Sequence, residues 1–386
     1  MYPNLSYILE AIFGTEPDNF FSIFQTFGLF LGLAFAASAY VLYHELKRKE
    51  SEGLLTSIKH TYTVGEPATI IDLFVGATVG FILGFKLVYL IQHFDVVKSD
   101  MVDFIFSTQG SFEGGLLGAI LNAGWVWYDK NKHKLDKPKT ITEDQYPHQR
   151  IMDITFVAAI WSLIGAKLFA VLEEPQYFFE DPIGQLFSGS GMAIYGGLIG
   201  GFIGTYYYIK NKLKIKPIHV MDAVAPALIM GYAVGRVGCQ LSGDGDWGID
   251  NPDPNPYSWL PDWLWSSTYP HNVLKSGVPI EECKWEYCNE LAVAVYPTPV
   301  YEIIMALIIF GILWALRKRI KVAGVIFFIY MILNGIERFW IEKIRVNATY
   351  NIAGMEITQA EIISVLFVIG GIIGCIILYG RDRKKA

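Results

Sequence analysis

Gly235-Arg236-Val237-Gly238-Cys239-Gln240-Leu241-Ser242-Gly243-Asp244-Gly245-Asp246-Trp247-Gly248 closes one apolar segment and opens the longest polar loop of the chain. Up to Leu241 the run is apolar except for one arginine and one glutamine; after it come two aspartates and a series of glycines. A charged side chain at mid-bilayer costs about 2.5–3.5 kcal/mol on insertion scales, so an arginine kept near a helix end calls for a partner or a function. The rest of the chain reads largely as hydrophobic helix, and this stretch is expected at the outer face of a membrane.

Composition agrees. The 386 residues are 53% hydrophobic and 18% charged, against about 25% charged in soluble domains. The apolar residues fall in blocks. Reading for spans of about 20 residues gives nine, near 21–43, 70–92, 112–128, 151–172, 190–209, 222–241, 298–316, 323–341 and 360–379. The class is therefore an all-α polytopic membrane protein. Of 31 Lys and Arg, 22 lie in 44–69, 129–150, 210–221, 317–322 and 381–386, and only five on the opposite side. This alternation puts the N-terminus outside and the C-terminus in the cytoplasm. No basic residue precedes the first apolar run and no small-residue cleavage site follows it, so the first helix is expected to stay in place. Nothing points to nucleic acid.

The spans group into an N-terminal segment with the first helix (1–50), a helix pair (70–128), a central set (151–241), an external loop (243–297) and three C-terminal spans (298–386). The pair 70–128 duplicates part of the central set. Asp72 precedes Gly84-Phe85-Lys86-Leu87 by the same spacing as Asp153 precedes Gly165-Ala166-Lys167-Leu168. Phe112-Glu113-Gly114-Gly115-Leu116-Leu117-Gly118 echoes Tyr195-Gly196-Gly197-Leu198-Ile199-Gly200. Same order and same orientation make this a parallel repeat. The external loop is rich in Trp, Tyr, Pro and Asp; Trp247, Trp259, Trp263 and Trp265 suit either a layer on lipid headgroups or a small packed domain. Cys283 and Cys288 within it are either a disulfide, if the loop is outside, or two free thiols. No metal-ligand spacing occurs.

Several charges sit within or beside spans. Lys86 and Lys167, toward the outer helix ends, read as snorkelling side chains. Arg338 and Glu342 stand at i and i+4, with Arg345 following on the same face; Glu337 is adjacent but points elsewhere. Two readings remain: a structural Arg–Glu pair, or a cation cluster for a phosphate with Glu342 orienting an arginine. Glu302, after Tyr296-Pro297-Thr298-Pro299, is either another acid at the outer boundary or a helix N-terminal carboxylate favoured by the dipole.

Four segments in order resemble the prolipoprotein diacylglyceryl transferase family. Met192-Ala193-Ile194-Tyr195-Gly196-Gly197-Leu198-Ile199-Gly200, following the helix from Asp153 to Leu172, is similar to M-S-x-H-G-G-L-x-G. The opening stretch is similar to G-R-x-G-N-F-x-N-x-E-x-x-G, Tyr296 to Glu302 to H-P-x-Q-x-Y-E, and Arg338 to Arg345 to R-F-x-x-E-x-x-R. Gly354 to Gln359 resembles a fifth, shorter segment, and residues 21–50 match the family's first helix weakly. The family has seven spans with an outside N-terminus, so nine is seven plus the duplicated pair; 151–209 fits the family better and 70–128 looks inserted. Some positions depart: Tyr195 and Tyr296 stand at family histidines, Phe27 at a tyrosine, Cys239 and Ser242 at asparagines, Asp244 at a glutamate, and one extra residue precedes Trp247.

The resemblance implies transfer of the diacylglyceryl group of phosphatidylglycerol to the lipobox cysteine of prolipoprotein signal peptides, in the bacterial cytoplasmic (inner) membrane. A thioether forms and glycerol phosphate leaves, with no cofactor or metal. Attack of a thiolate on an sp³ carbon needs a deprotonated thiol, an anchored phosphate and in-line geometry. Arg236 and Arg338 suit the phosphate, with Arg345 beside them. Gly238, Gly243 and Gly248 would let backbone approach the headgroup, and Gly196, Gly197, Tyr296 and Glu302 complete the binding set. Asp244 or Asp246 suits the glycerol hydroxyls. Glu342 and Asp244 are the candidate bases, Tyr195 a hydrogen-bonding group, and Cys239 a packing residue. The replaced histidines motivate an alternative: a catalytically altered relative that binds or moves phospholipid.

Overall fold

Every apolar segment carries a helix in the computed structural model, which describes residues 1–94, 104–105, 107–173, 175–180, 182, 193–347, 349–352 and 355–383, without the side chains of 177, 180, 194, 195, 349, 352 and 355. In chain order the described α-helices of nine residues or more are α1 (Leu5–Phe13), α2 (Thr26–Ser51), α3 (Ile70–Gln92), α4 (Phe112–Lys132), α5 (Ile151–Glu173), α6 (Ile194–Tyr207), α7 (Pro217–Ser242), α8 (Thr298–Leu316), α9 (Val325–Glu342) and α10 (Gln359–Arg383). Six helical runs are long and apolar enough to cross a membrane: α2, α3, 147–173, α7, α8 and α10. The other three candidates fall short for readable reasons. α4 carries Glu113, Asp129 and Lys130, α6 has 14 residues, and α9 holds Glu337, Arg338 and Glu342.

Three features differ from the sequence expectation. α2 begins at Thr26 and continues through Lys47, Arg48 and Lys49, residues expected in a loop. α1 precedes it, its first turn capped by the Asn4 side chain accepting from the Ser6 amide; hydropathy alone does not mark so short a helix. The chain is also not purely helical. Among the described residues there are three two-stranded antiparallel ribbons, β1 (Ile58–Val64) with β2 (Lys139–Gln145), β3 (Val278–Pro279) with β4 (Asn289–Glu290), and β5 (Thr349–Ile352) with β6 (Met355–Thr358). β1 and β2 pair across 74 intervening residues or more, a register no local pattern encodes.

The chain divides into two compact units, 1–55 with 216–386, and 56–215. In the first, α7 is central. Ala225, Ile229 and Ala233 of α7 pack with Ala306, Ile309 and Leu313 of α8 and Ile326 of α9. Small residues allow close approach where no hydrophobic difference between lipid and protein drives helices together. A Cβ on Gly238 of α7 would meet Phe30 Cβ of α2 at 2.8 Å, and one on Gly371 of α10 would meet Ile332 of α9 at 2.6 Å. One end of the unit is tied by buried charges: Glu45 bonds Arg317 at 2.5 Å and Lys49 pairs Asp222 at 3.6 Å. Asp222 also accepts from the Gly324 and Phe327 amides, fixing the α8–α9 turn.

The loop 243–297 is folded. Cys283 and Cys288 are disulfide-bonded, the first of the two sequence readings. The N-terminal residues pack on it: the Met1 amine donates to Pro270 O at 2.5 Å, the Glu286 amide to Asp18, and the Tyr287 amide to Tyr7 Oη. Trp247 packs on Tyr269 and Trp265 on Tyr296, whereas Trp259 and Trp263 are 77% and 61% exposed. Two of the four tryptophans thus pack within the folded loop and two lie on its surface.

In the second unit, each copy of the repeat is a glycine-packed helix pair. Cβ atoms on Gly80 and Gly84 of α3 would lie 2.2 Å from the carbonyls of Gly118 and Gly114 in α4; one on Gly165 of α5 would lie 2.2 Å from Gly196 O in α6. The matched motifs are thus matched contacts. Lys86, read from sequence as snorkelling, has fixed partners. Its ammonium binds the carbonyls of Phe104, Ser107 and Gln109 at 2.6, 2.7 and 2.9 Å and so shapes the α3–α4 connection. Asp72 bonds Lys130 and Asp153 bonds Arg150.

Candidate functional site

Three arginines and three carboxylates meet where α7 ends, α8 begins and α9 ends. Glu302, 0% exposed, is the hub. Its Oε2 lies 3.0 Å from Arg236 Nε; its Oε1 accepts from Tyr232 Oη at 3.0 Å, Arg345 Nη1 at 3.3 Å and Arg338 Nη1 at 3.4 Å. Asp246 bonds both Arg236 and Arg345, one through each oxygen. Glu342 closes the network: Arg338 Nη2 reaches its Oε2 at 2.9 Å, and Asn347 Nδ2 donates to its Oε1 at 2.6 Å. Each arginine thus meets two carboxylates. Of the three side chains, Arg338 is the most exposed, at 28%, against 15% for Arg236 and 10% for Arg345.

Local backbone pairing holds the parts in register. The Gly248 amide donates to Tyr296 O at 2.8 Å and the Ile249 amide to Ile344 O at 2.9 Å, so three distant segments form one small patch of pairing. Thr298 Oγ1 donates to Asp246 O at 2.6 Å. A Cβ on Gly248 would lie 2.5 Å from Ile344 O, so only glycine fits there. Gly243 ends α7 in the left-handed conformation, φ 63°, which favours glycine at a helix C-terminus. These glycines, expected to admit a headgroup, have packing reasons of their own, as Gly238 has against Phe30.

The two aspartates of the loop differ. Burial opposes ionisation of Asp246, but the Arg236 and Arg345 guanidiniums outweigh it and hold the carboxyl below its ordinary range. Asp244 has no such pair. Burial, with Asp246 nearby, pushes its carboxyl above the ordinary range. Cys239, Asp244 and Asp246 bring ligand-type atoms within 4.8 Å of one another, a grouping that sequence spacing did not show. Arg236 lies in the same place, 3.7 Å from the Cys239 sulfur and bonded to Asp246.

The structure brings together Arg236, Arg338, Arg345, Glu302 and Glu342, with Asp244, Gly243, Gly248 and Tyr296 around them. Glu302 lies beyond the first turn of α8, away from the helix-dipole position read as one possibility, and is the shared partner of three arginines. Arg338–Glu342 is an intrahelical pair, but only one edge of a larger network. Tyr296 contributes its backbone carbonyl to Gly248 and its ring to Trp265. Gly196 and Gly197 belong to the other unit, in α6, where Gly196 packs against Gly165 and Phe169. The side chain of Tyr195, and Met192 and Gly354 from two of the motifs, lie outside the described residues. Sequence reasoning left out Asp246 as an arginine partner, Tyr232, Asn347 and Glu337. For Tyr232 a signal existed: it precedes Arg236 by one helical turn, and its ring lies 5.1 Å from the guanidinium.

Fold and site define a multi-pass helical membrane protein with an arginine–carboxylate network at one end of its helices. The chain belongs to the prolipoprotein diacylglyceryl transferase family, whose profile matches residues 138–377. That match begins after the helix pair 70–128. The phosphatidylglycerol–prolipoprotein diacylglyceryl transferase of Lysinibacillus sphaericus is 30% identical over 241 residues, 62% of this chain and 80% of the relative. The proteins of the same description from Finegoldia magna and Clostridioides difficile are 30% and 29% identical, each covered over 81% of its length by about 61–62% of this chain.

Proposed function

We propose that this chain transfers the diacylglyceryl group of phosphatidylglycerol to the lipobox cysteine thiol of prolipoproteins, at the outer face of the bacterial cytoplasmic membrane. The observation that carries the reading is the meeting of Arg236, Arg338 and Arg345 at one level of the helices in a member of this family. The thiol sulfur attacks the glyceryl carbon, the carbon–oxygen bond to phosphate breaks, and glycerol phosphate departs with one more negative charge than it had in the lipid. Guanidiniums suit that change because they stay charged in a low dielectric and present paired donors to phosphate oxygens.

Arg338, the most exposed of the three, is the first to meet the phosphate, and Glu342 holds its fork from the next turn. Arg236 and Arg345, tied to Glu302 and Asp246, supply fixed positive charge behind it. Asp244 takes the thiol proton: its carboxyl is free of guanidinium pairing, and a value raised toward that of a thiol makes a better base. The lysine and arginine distribution supports nine spans with the N-terminus outside and the C-terminus in the cytoplasm. The extent of the family match supports 151–241 as the core set and 70–128 as the added pair.

Complementation tests the reading. Expression in a strain depleted of its own transferase should restore growth, and mass measurement should find the diacylglyceryl increment on the lipoprotein N-terminal cysteine. Membrane-inserted protein with unmodified lipoprotein would refute it.

A further inference from the structure

The network just described leaves one group out. Glu337, next to Arg338 on α9, is 4% exposed, and both of its carboxylate oxygens lack a hydrogen-bond partner among the described residues. Buried carboxyl groups are nearly always hydrogen-bonded, and one left open is costly, so such a group marks a place where something else donates. Glu337 does not point away from the site. Glu302, Arg338, Arg236 and Arg345 all act on it electrostatically, as it acts on Tyr232 of α7 and Tyr330 of its own helix. Three guanidiniums and the Glu302 carboxylate thus act on it from nearby, and its own two oxygens lack donors. Those guanidiniums also oppose entry of a cationic group.

We propose that Glu337 receives the two free hydroxyls of the phosphatidylglycerol headgroup and so sets the enzyme's preference for a glycerol headgroup. The inference rests on the transferase reading and deepens it. A phosphate held by the arginines carries its glycerol a few bonds away, and two open carboxylate oxygens match two neutral hydroxyl donors. The acceptor cysteine offers a single weak S–H donor and leaves one oxygen unmet. Asp246, considered for the hydroxyls from sequence, has both oxygens engaged by arginines. A site built to hydrogen-bond a hydroxyl discriminates strongly against the analogue lacking it, because its own buried group is then left unpaired.

The test uses full-length protein in detergent with a synthetic lipobox peptide and two donor lipids of equal acyl chains, phosphatidylglycerol and the hydroxyl-free phosphatidylpropanol. The readout is the ratio of the two kcat/KM values, in which the fraction of folded enzyme cancels. Wild type should favour phosphatidylglycerol. Glu337→Leu should lower the ratio by about tenfold or more, and Glu337→Gln, which keeps one acceptor oxygen, by less. A ratio unchanged in both variants overturns the proposal, including the case where both rates fall together, which would mark a role in proton transfer or folding. A wild type that prefers neither lipid also overturns it. A wild type that modifies the peptide from neither lipid sinks the transferase reading itself.

Discussion

Arg236 and Glu302 face each other across α7 and α8 with Nε and Oε2 3.0 Å apart, and Glu302 has no exposed surface. The pair joins the end of one helix to the start of another through a single charge contact. It is also the centre from which the other two arginines are held.

Arg236→Ala should abolish transfer while the protein still inserts. Loss of a fixed cation at a site of developing negative charge costs about 10²–10³ in kcat. Peptide modification by purified variant, with membrane fractionation beside it, measures both. Full activity would remove Arg236 from the phosphate site.

Glu302→Ala should destabilise more than any single arginine substitution, because it takes one of two carboxylate partners from three guanidiniums at once. Breaking a buried pair from one side typically costs about 3–5 kcal/mol. Glu302→Gln keeps an acceptor for Tyr232 and should lose less. Thermal unfolding in detergent ranks the variants; equal midpoints for Ala and wild type would deny Glu302 its central place.

Asp246 predicts an acid limb. Its carboxyl is held below the ordinary value by Arg236 and Arg345 against the opposing effect of burial. Its contribution to stability is therefore present above the ordinary carboxylate value, about 3.9, and is lost as pH falls through the lower folded value. Asp246→Asn should be less stable at neutral pH and show a flatter decline in acid. Unfolding midpoints followed from pH 7 downward would show whether the two curves converge.

Asp244 predicts the opposite sign. Burial raises its carboxyl, so folding favours its protonated form below the ordinary value and that advantage is lost as pH rises through the raised one. As the base for the thiol, Asp244 should make the transfer rate climb as pH passes that value. Asp244→Asn should lower the rate and remove this limb. A variant with the wild-type pH profile would assign the proton elsewhere.

The two copies of the repeat should not be equivalent. Deleting 70–128 should be tolerated better in complementation than deleting 151–209, since the family match starts at residue 138. The reverse result would identify the first pair as part of the working core.

Hydropathy and motif order determined the membrane class and the family, and they marked Arg236, Arg338, Glu342 and Arg345. All of these are short-range signals. A span is a run, a helix face is a spacing of i to i+4, and Arg338–Glu342 is legible for that reason. Tertiary structure decided what each charge does. Arg345 meets Asp246 across 99 residues and Arg338 meets Glu302 across 36, distances at which no periodicity links one side chain to another. Glu302 became a hub, Lys86 a loop anchor and Glu337 an open acceptor only when helices distant in sequence packed together. Burial then removed the water that would otherwise have satisfied each group alone, and made the identity of its neighbours decisive.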